Sequence, residues 1–332
     1  MKRLKIAIVG CGGIGEKRAQ FLPCNFELVL CYDVNKDRAE GFAKKYDCQV
    51  AESWQKLVAS NDVDAVIIAT THNVLAEIAS AAISASKHVF LEKPAGLNAS
   101  EIEKLIEVNK KFNRVIHVGF NHRYHRAVLK AFEIIKNGSL GELMFIRGRY
   151  GHGGRVGYEG EWRSNPSLSG GGELMDQGPH LIDLSRLFLG EFTEVDGFAH
   201  AYFWDAPVED NAFLTLKTCE KKVAFLHVSS SEWKNIFSME IYGKLGKLEI
   251  SGLGGSYGVE RVTFYQMLPE MGPPPTTIWE YPMMDNSWAV ELTAFEKSIL
   301  SNSNAEAGLE DALASHKIIE KIYKESGYDY YS

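Results

Sequence analysis

Residues 5–15 read Lys5-Ile6-Ala7-Ile8-Val9-Gly10-Cys11-Gly12-Gly13-Ile14-Gly15. An apolar Ile/Val run ended by glycine predicts a buried parallel strand over Lys5–Val9. The pattern G-x-G-x-x-G follows, and a helical pattern runs on through Phe21. A strand before and a helix after is the context in which this motif cradles a dinucleotide. The glycines allow a tight turn and a close backbone approach to a pyrophosphate. The helix N-terminus then offers unpaired N–H groups and the positive end of its dipole. Gly10, Gly12, Gly13, Ile14 and Gly15 are therefore the first candidate cofactor residues.

Phe26–Tyr32 (FELVLCY) predicts a second strand, closed by Asp33, 18 residues past Gly15. An acidic residue at this distance meets the adenosine ribose hydroxyls in NAD-binding folds, and its charge repels a 2′-phosphate. NAD is expected over NADP. Lys36 and Arg38 nearby leave dual use open, and a plain turn or helix cap at Asp33-Val34-Asn35 is the structural alternative. Helix over Asn35–Tyr46, strand over Val63–Ala69, helix over Asn73–Ala85, strand over Lys87–Leu91, helix over Asn98–Phe112 and strand over Arg114–Phe120 continue the alternation. Such alternation predicts a doubly wound parallel sheet. Ligands bind beyond the carboxyl ends of its strands. Thr70, Glu92-Lys93-Pro94 and Asn121 fall at such ends.

Composition narrows the function classes. The 332 residues suggest two domains, divided here as 1–122 and 123–332, with the last helices packing back on the first. A formal charge of −7 argues against a nucleic-acid binder. No apolar run has the roughly 18 residues of a membrane span. The basic and apolar N-terminus resembles a signal peptide, but Glu16, Lys17 and Arg18 follow with no small-residue cleavage site. Five irregularly spaced cysteines fit free thiols in a reducing, cytoplasmic compartment.

Gly170–Gly190 (GGGELMDQGPHLIDLSRLFLG) carries Asp176-x-x-x-His180. At helical spacing both side chains face one way. Imidazole titrates near neutrality, and a neighbouring carboxylate can raise its pKa and orient the ring, so the pair is the candidate proton-handling site. A packed core histidine is the structural alternative. No H-x-x-x-H or C-x-x-C partner accompanies the pair, so no metal site is expected. Lys93, just past a buried strand and pinned by Pro94, is a positioned ammonium or, alternatively, an ordinary surface lysine.

Taken together, Gly10–Gly15, Asp33, Ala69-Thr70, Glu92-Lys93-Pro94, Gly119-Phe-Asn-His-Arg-Tyr124, Asp176-x-x-x-His180 and the closing helices resemble the Gfo/Idh/MocA oxidoreductases over nearly the whole chain. The resemblance implies a Rossmann domain followed by an α/β domain whose open, mostly antiparallel sheet forms the homo-oligomer interface, as a dimer or tetramer. Strand-like runs at Leu143–Tyr150, Thr193–Phe203, Ala212–Thr218, Lys222–Ser229, Ser238–Tyr242 and Lys247–Ile250 agree with it. It further implies hydride transfer between NAD and a hydroxyl carbon of a sugar, polyol or nucleotide-sugar. Lys93 would contact the reacting hydroxyl and the nicotinamide, His180 would be the general acid/base, and Asp176 would bind substrate or orient His180. Thr70, Glu92 and Asn121 would face the cofactor. Some relatives give lysine the leading proton role. The chain departs at Thr71, His72 and Leu75, where relatives read Pro, Asn and His; a cofactor contact by His72 is carried over as an expectation only. Arg126 stands where many members have Pro.

Gly151–Gly172 (GHGGRVGYEGEWRSNPSLSGGG) has eight glycines in 22 residues and predicts a loop of little intrinsic order. Its Tyr158 and Trp162 suit stacking on sugar rings, and Arg155 and Arg163 suit phosphate or carboxylate. The Trp-Arg pair resembles members serving polysaccharide or nucleotide-sugar pathways, which implies an anionic group on the substrate. The alternative is a flap whose Trp packs on the second domain. Gly252–Gly258 and Pro269–Pro275 read as surface excursions, Asp285–Leu300 and Leu309–Ser326 as amphipathic helices, and Tyr328–Tyr331 as a frayed end. Two rival functions stand beside the dehydrogenase: a glycosidase or epimerase that uses held NAD without net redox, and a non-catalytic dinucleotide sensor.

Overall fold

In the computed structural model residues 3–270 and 272–330 are described. Tyr331, from the aromatic tail, lies outside them. The chain divides into two compact units, residues 1–120 with 288–316, and residues 121–287 with 317–332.

Unit 1 opens with β1 (Leu4–Val9), α1 (Gly13–Gln20), β2 (Phe26–Tyr32), α2 (Lys36–Tyr46), β3 (Gln49–Val50) and α3 (Trp54–Ala59). It continues with β4 (Ala65–Ile68), α4 (His72–Ser84), β5 (His88–Leu91), α5 (Ala99–Phe112) and β6 (Ile116–Val118). The six strands pair in parallel in the order β3-β2-β1-β4-β5-β6. That is the doubly wound order expected of a Rossmann sheet. Asn35, Ser53 and Asn98 cap α2, α3 and α5, each accepting a backbone N–H of the first turn. The predicted strand over Arg114–Phe120 is shorter than expected, because residues 121–124 turn into a 3₁₀ helix directly behind it. The β3–α3 excursion was not foreseen. Its strand has only two exposed residues, too few for a periodic pattern.

Unit 2 carries α6 (Arg126–Lys136), β7 (Leu143–Gly151), α7 (Pro166–Ser169), α8 (Glu173–Asp176), α9 (Gly178–Leu189) and β8 (Phe192–His200). Then come β9 (Asn211–Thr218), β10 (Val223–Ser229), β11 (Ile236–Gly243), β12 (Gly246–Ser251), β13 (Glu260–Gln266) and β14 (Thr276–Tyr281). The eight strands run β14-β13-β12-β11-β7-β10-β9-β8, with only β7 and β10 parallel. β13 and β14 add to the strands expected from the sequence: β13 lies between the two expected surface excursions, and β14 directly follows the second. The strand expected to reach Phe203 stops at His200. Beyond it the amides of Tyr202, Phe203 and Trp204 all donate to the Asp210 carboxylate. Inward positions such as Leu214, Leu226, Met239 and Leu248 are fully buried among α6 and α9. α10 (Ser287–Ser301) falls almost wholly in unit 1, and α11 (Leu309–Glu325) is divided between the units.

The expected single helix through Asp176 and His180 is two. Gln177 separates α8 from α9, and Pro179 sits in the first turn of α9. Proline fits there because that turn needs no N–H bond.

The approach to α8 is built on Glu209. A Cβ on Gly172 would lie 1.9 Å from the Glu209 carbonyl oxygen, so that position must be glycine. The Glu209 carboxylate accepts the amides of Gly172 (2.9 Å) and Leu174 (2.8 Å) and the hydroxyls of Tyr323 (2.9 Å) and Tyr330 (3.2 Å). Burial outweighs these four donors and pushes Glu209 up to about 7. A carboxyl whose folded pKa exceeds its unfolded value contributes stability at low pH that is lost as pH rises between the two. Urea midpoints between pH 5 and 8 should therefore fall in the wild type and vary less in Glu209→Gln. The variant should also lose about 1–3 kcal/mol, because its amide N–H₂ meets donors rather than acceptors. An unchanged pH slope contradicts this assignment.

Candidate active site

In unit 1 the glycine loop divides by role. Gly10 has φ +96°, and a Cβ there would lie 2.3 Å from the Ala69 carbonyl oxygen; one on Gly15 would lie 1.9 Å from that of Gly10. These two glycines serve the packing of β1, β4 and α1. Gly12 and Gly13 have no protein atom within 4 Å of a built Cβ. Folding therefore does not require glycine there, and a group lying against the loop would. Gly12 is the N-cap of α1 and offers no side-chain cap, so the first-turn N–H groups face that space. Gly12, Gly13 and Ile14 are the residues that could hold a dinucleotide pyrophosphate here.

Asp33 lies at the end of β2. Its carboxylate accepts the amides of Cys11 (2.9 Å) and Asn35 (2.8 Å), which fixes it beside the loop. Arg38 reaches it at 3.4 Å. Thr70 is half-buried and donates to the Thr71 carbonyl (3.2 Å); His72 is buried in the first turn of α4. Glu92 does not point outward. It accepts Arg18 Nε at 2.6 Å inside unit 1 and lies under Gly119. Half-buried Lys93 follows on a turn pinned by His316 Nε2 at the Pro94 carbonyl (2.9 Å) and by Glu101 at the Leu97 amide (2.8 Å).

In unit 2 the histidine and carboxylate candidates gather with residues the sequence did not single out. His180 is buried, and its ring stacks on His122 with centroids 3.8 Å apart and planes 21° apart. Asp176 accepts Arg163 Nε at 2.9 Å. That carboxylate, ahead of burial, sets the direction of the Arg163 shift, which is upward. Glu173, one turn before Asp176, takes the Tyr158 hydroxyl (3.4 Å) and lies 3.4 Å from His152 Nε2. Burial pulls His152 down, but Glu173 outweighs it and the net shift is upward. Tyr150 packs on His122 and on Tyr257, and burial, followed by Tyr257, raises its hydroxyl well above the usual range.

Three expectations change here. Arg155 pairs with Glu161 and Arg163 with Asp176, so both guanidiniums are neutralised by acids of their own unit. The glycine-rich segment is not featureless: it forms 3₁₀ turns at Tyr158–Gly160 and Trp162–Ser164 and then α7, with the Arg163 guanidinium over the Trp162 ring (4.6 Å). Gly252–Gly258 is more than a surface excursion, since Tyr257 packs on Tyr150. The candidate Asn121 spends its side chain within unit 2, donating to Ser287 Oγ (3.2 Å) and facing His122 Nδ1 (3.2 Å). Among the described residues no cluster suits a metal ion.

Residues 4–120 match the oxidoreductase family with an NAD-binding Rossmann fold, and residues 128–249 match the GFO/IDH/MocA C-terminal domain. The chain belongs to the Gfo/Idh/MocA oxidoreductases. Among its Gfo/Idh/MocA relatives is levoglucosan dehydrogenase of Pseudarthrobacter phenanthrenivorans, 29% identical over 66% of this chain and 59% of that one. Another is myo-inositol 2-dehydrogenase of Thermotoga maritima, 29% identical over 58% of this chain and 56% of that one. The match thus spans less than two thirds of the length of either relative. A levoglucosan dehydrogenase structure with NADH and levoglucosan shares the fold, with TM-score 0.88 at 22% identity over 98% of both chains.

Proposed function

We propose that this protein is an NAD-dependent dehydrogenase acting on a CH–OH group of a neutral sugar or polyol. The observation that carries the reading is the open cradle at Gly12 and Gly13 beside the fixed Asp33 carboxylate. The relatives named for levoglucosan and inositol support the substrate class. NAD, when bound, supplies the hydride acceptor. The remaining work falls to this chain. Oxidising an alcohol releases a proton from oxygen, and His180 is the base that takes it. The Lys93 ammonium stabilises the developing alkoxide. Asp176 binds a sugar hydroxyl, with Arg163 Nε holding its carboxylate in place. Arg155 and Arg163 are each matched by a carboxylate, which favours a neutral ring over a phosphate-bearing or acid sugar.

The outer face of the unit 2 sheet carries Phe145 stacked on Tyr242 (4.3 Å) and Phe213 stacked on His227 (4.3 Å), with Phe225 51% exposed. Aromatic rings on this sheet face support a homo-oligomer formed through it. All five cysteines are free, which supports a reducing, cytoplasmic setting.

Thermal unfolding with NADH or NADPH, then with added neutral sugars, polyols, sugar acids and nucleotide-sugars, tests the reading. A ligand at 100 times its Kd stabilises by about 2.7 kcal/mol. NADH plus a neutral sugar or polyol should give the largest shift. A shift confined to anionic sugars overturns the neutral-substrate assignment.

A further inference from the structure

The loops that follow β8 and β10 bring three aromatic rings together on unit 2. Phe203 meets Trp233 edge-on at 4.5 Å and Trp204 edge-on at 5.0 Å. Phe203 is 55% exposed and Trp233 65% exposed. The shelf they form is firmly held. The amides of Phe203 and Trp204 donate to the Asp210 carboxylate (2.7 and 2.9 Å), and the Trp204 indole N–H donates to the Ser230 carbonyl (2.9 Å). The glycine-rich segment lies directly against it. A Cβ on Gly154 would lie 2.2 Å from the Trp204 ring, and one on Gly153 would lie 2.9 Å from the Trp233 Cα. Trp233 has φ +55°, a left-handed conformation that bulky residues rarely adopt. Core packing does not account for an exposed indole on a strained backbone, and such strain clusters where ligands bind.

The shelf is continuous with the carboxylates of the site. Trp204 packs on Tyr158 (5.3 Å), and the Tyr158 hydroxyl donates to Glu173 (3.4 Å), one turn before Asp176. An aromatic side chain buries at most about 250 Å². Three partly covered rings on their own fall short of the roughly 800 Å² per partner of a stable protein interface. A sugar ring matches the shelf better. Its C–H face packs on an aromatic ring while its hydroxyls stay in water.

We propose that Phe203, Trp204 and Trp233 form a subsite for a second, neutral sugar ring, so that the substrate is a glycoside or oligosaccharide rather than a free monosaccharide. The inference rests on the carbohydrate reading proposed above. Asp176 engages the ring that is oxidised, and the shelf engages the ring joined to it.

The test is calorimetric titration of the full-length protein, with NADH present, by maltose, cellobiose, lactose and melibiose and by glucose and galactose. At least one disaccharide should bind about 10-fold more tightly than either of its component sugars, the worth of one added aromatic contact. Combining Phe203→Ala with Trp233→Ala should abolish that advantage. If the alanine variant unfolds, Phe203→Leu with Trp233→Leu replaces it, since leucine keeps apolar bulk but presents no flat ring. A wild type with no disaccharide advantage, or an advantage that survives loss of both rings, overturns the proposal. So does a wild type with no such advantage whose oligomer mass falls in the double variant, because the shelf then joins copies of this chain. If monosaccharides reduce NAD⁺ and no disaccharide binds more tightly, the subsite falls and the dehydrogenase reading stands. If a shelf-dependent disaccharide advantage is present but no sugar reduces NAD⁺, the dehydrogenase reading falls and the subsite stands.

Discussion

Replacing His180 with asparagine is expected to lower kcat by about 10²- to 10⁴-fold, the usual worth of a positioned general base. Asparagine fills similar volume but cannot accept the alcohol proton near neutral pH. NADH affinity should stay within a few-fold, because the glycine cradle and Asp33 belong to the other unit. Lys93→Met should show a different pattern. The developing alkoxide loses its nearby charge, so kcat falls by about 10²- to 10³-fold, the range seen when one such stabilising donor is removed. Steady-state kinetics paired with NADH titration separates the two effects. If His180→Asn keeps wild-type kcat, Lys93 carries the leading proton role, as in some relatives.

The largest stability effect is expected at Arg18. Its side chain is fully buried in unit 1, with Nε donating to Glu92 and Nη1 to Glu291, each at 2.6 Å. The guanidinium lies 4.2 Å from the Phe90 ring centre and 4.4 Å from that of Trp288. His117 Nε2 approaches the other oxygen of Glu291 at 3.5 Å. Removing one partner of a buried ion pair leaves charge without compensation and costs about 3–5 kcal/mol. Arg18→Met strands two carboxylates, so a loss at the upper end of that range is expected in urea unfolding.

The pH dependence has a definite sign. Burial, against the pull of Arg18, already raises the Glu92 pKa above the ordinary carboxylate value. Without Arg18 it rises further. A raised folded pKa gives stability that is lost as pH increases, so the variant should be more unstable at pH 8 than at pH 6. Adding Glu92→Gln and Glu291→Gln to Arg18→Met should recover much of the loss and flatten that slope. A single variant as stable as the wild type would show that the network contributes little. Glu92 precedes Lys93, so the same network fixes the turn that presents the lysine.

The parallel sheet was legible because its signals are local. Glycine punctuation, buried strands and N-cap residues lie next to the elements they specify. The second sheet was legible in part: β9 to β12 alternate cleanly, whereas β13 and β14 sit between turn-rich stretches that masked them. The helix break at Gln177 had its signal in Pro179, yet the spacing of Asp176 and His180 suggested one continuous helix. Residues joined across long separations were not legible. Nothing near Tyr257 indicates that it packs on Tyr150, and nothing near Glu209 indicates that it holds the amides before α8. The Arg163–Asp176 pair spans only 13 positions, but a sequence shows two charges without showing that they cancel.

The central claim is net hydride transfer from a carbohydrate hydroxyl. It is tested most directly by mixing the purified protein with NAD⁺ and a panel of neutral sugars and polyols, while following NADH absorbance and the sugar products. For at least one sugar, NADH should form in many-fold excess over enzyme together with an equal amount of oxidised sugar. NADH limited to one equivalent with an epimerised or hydrolysed product, or none with a cofactor that binds, would contradict it.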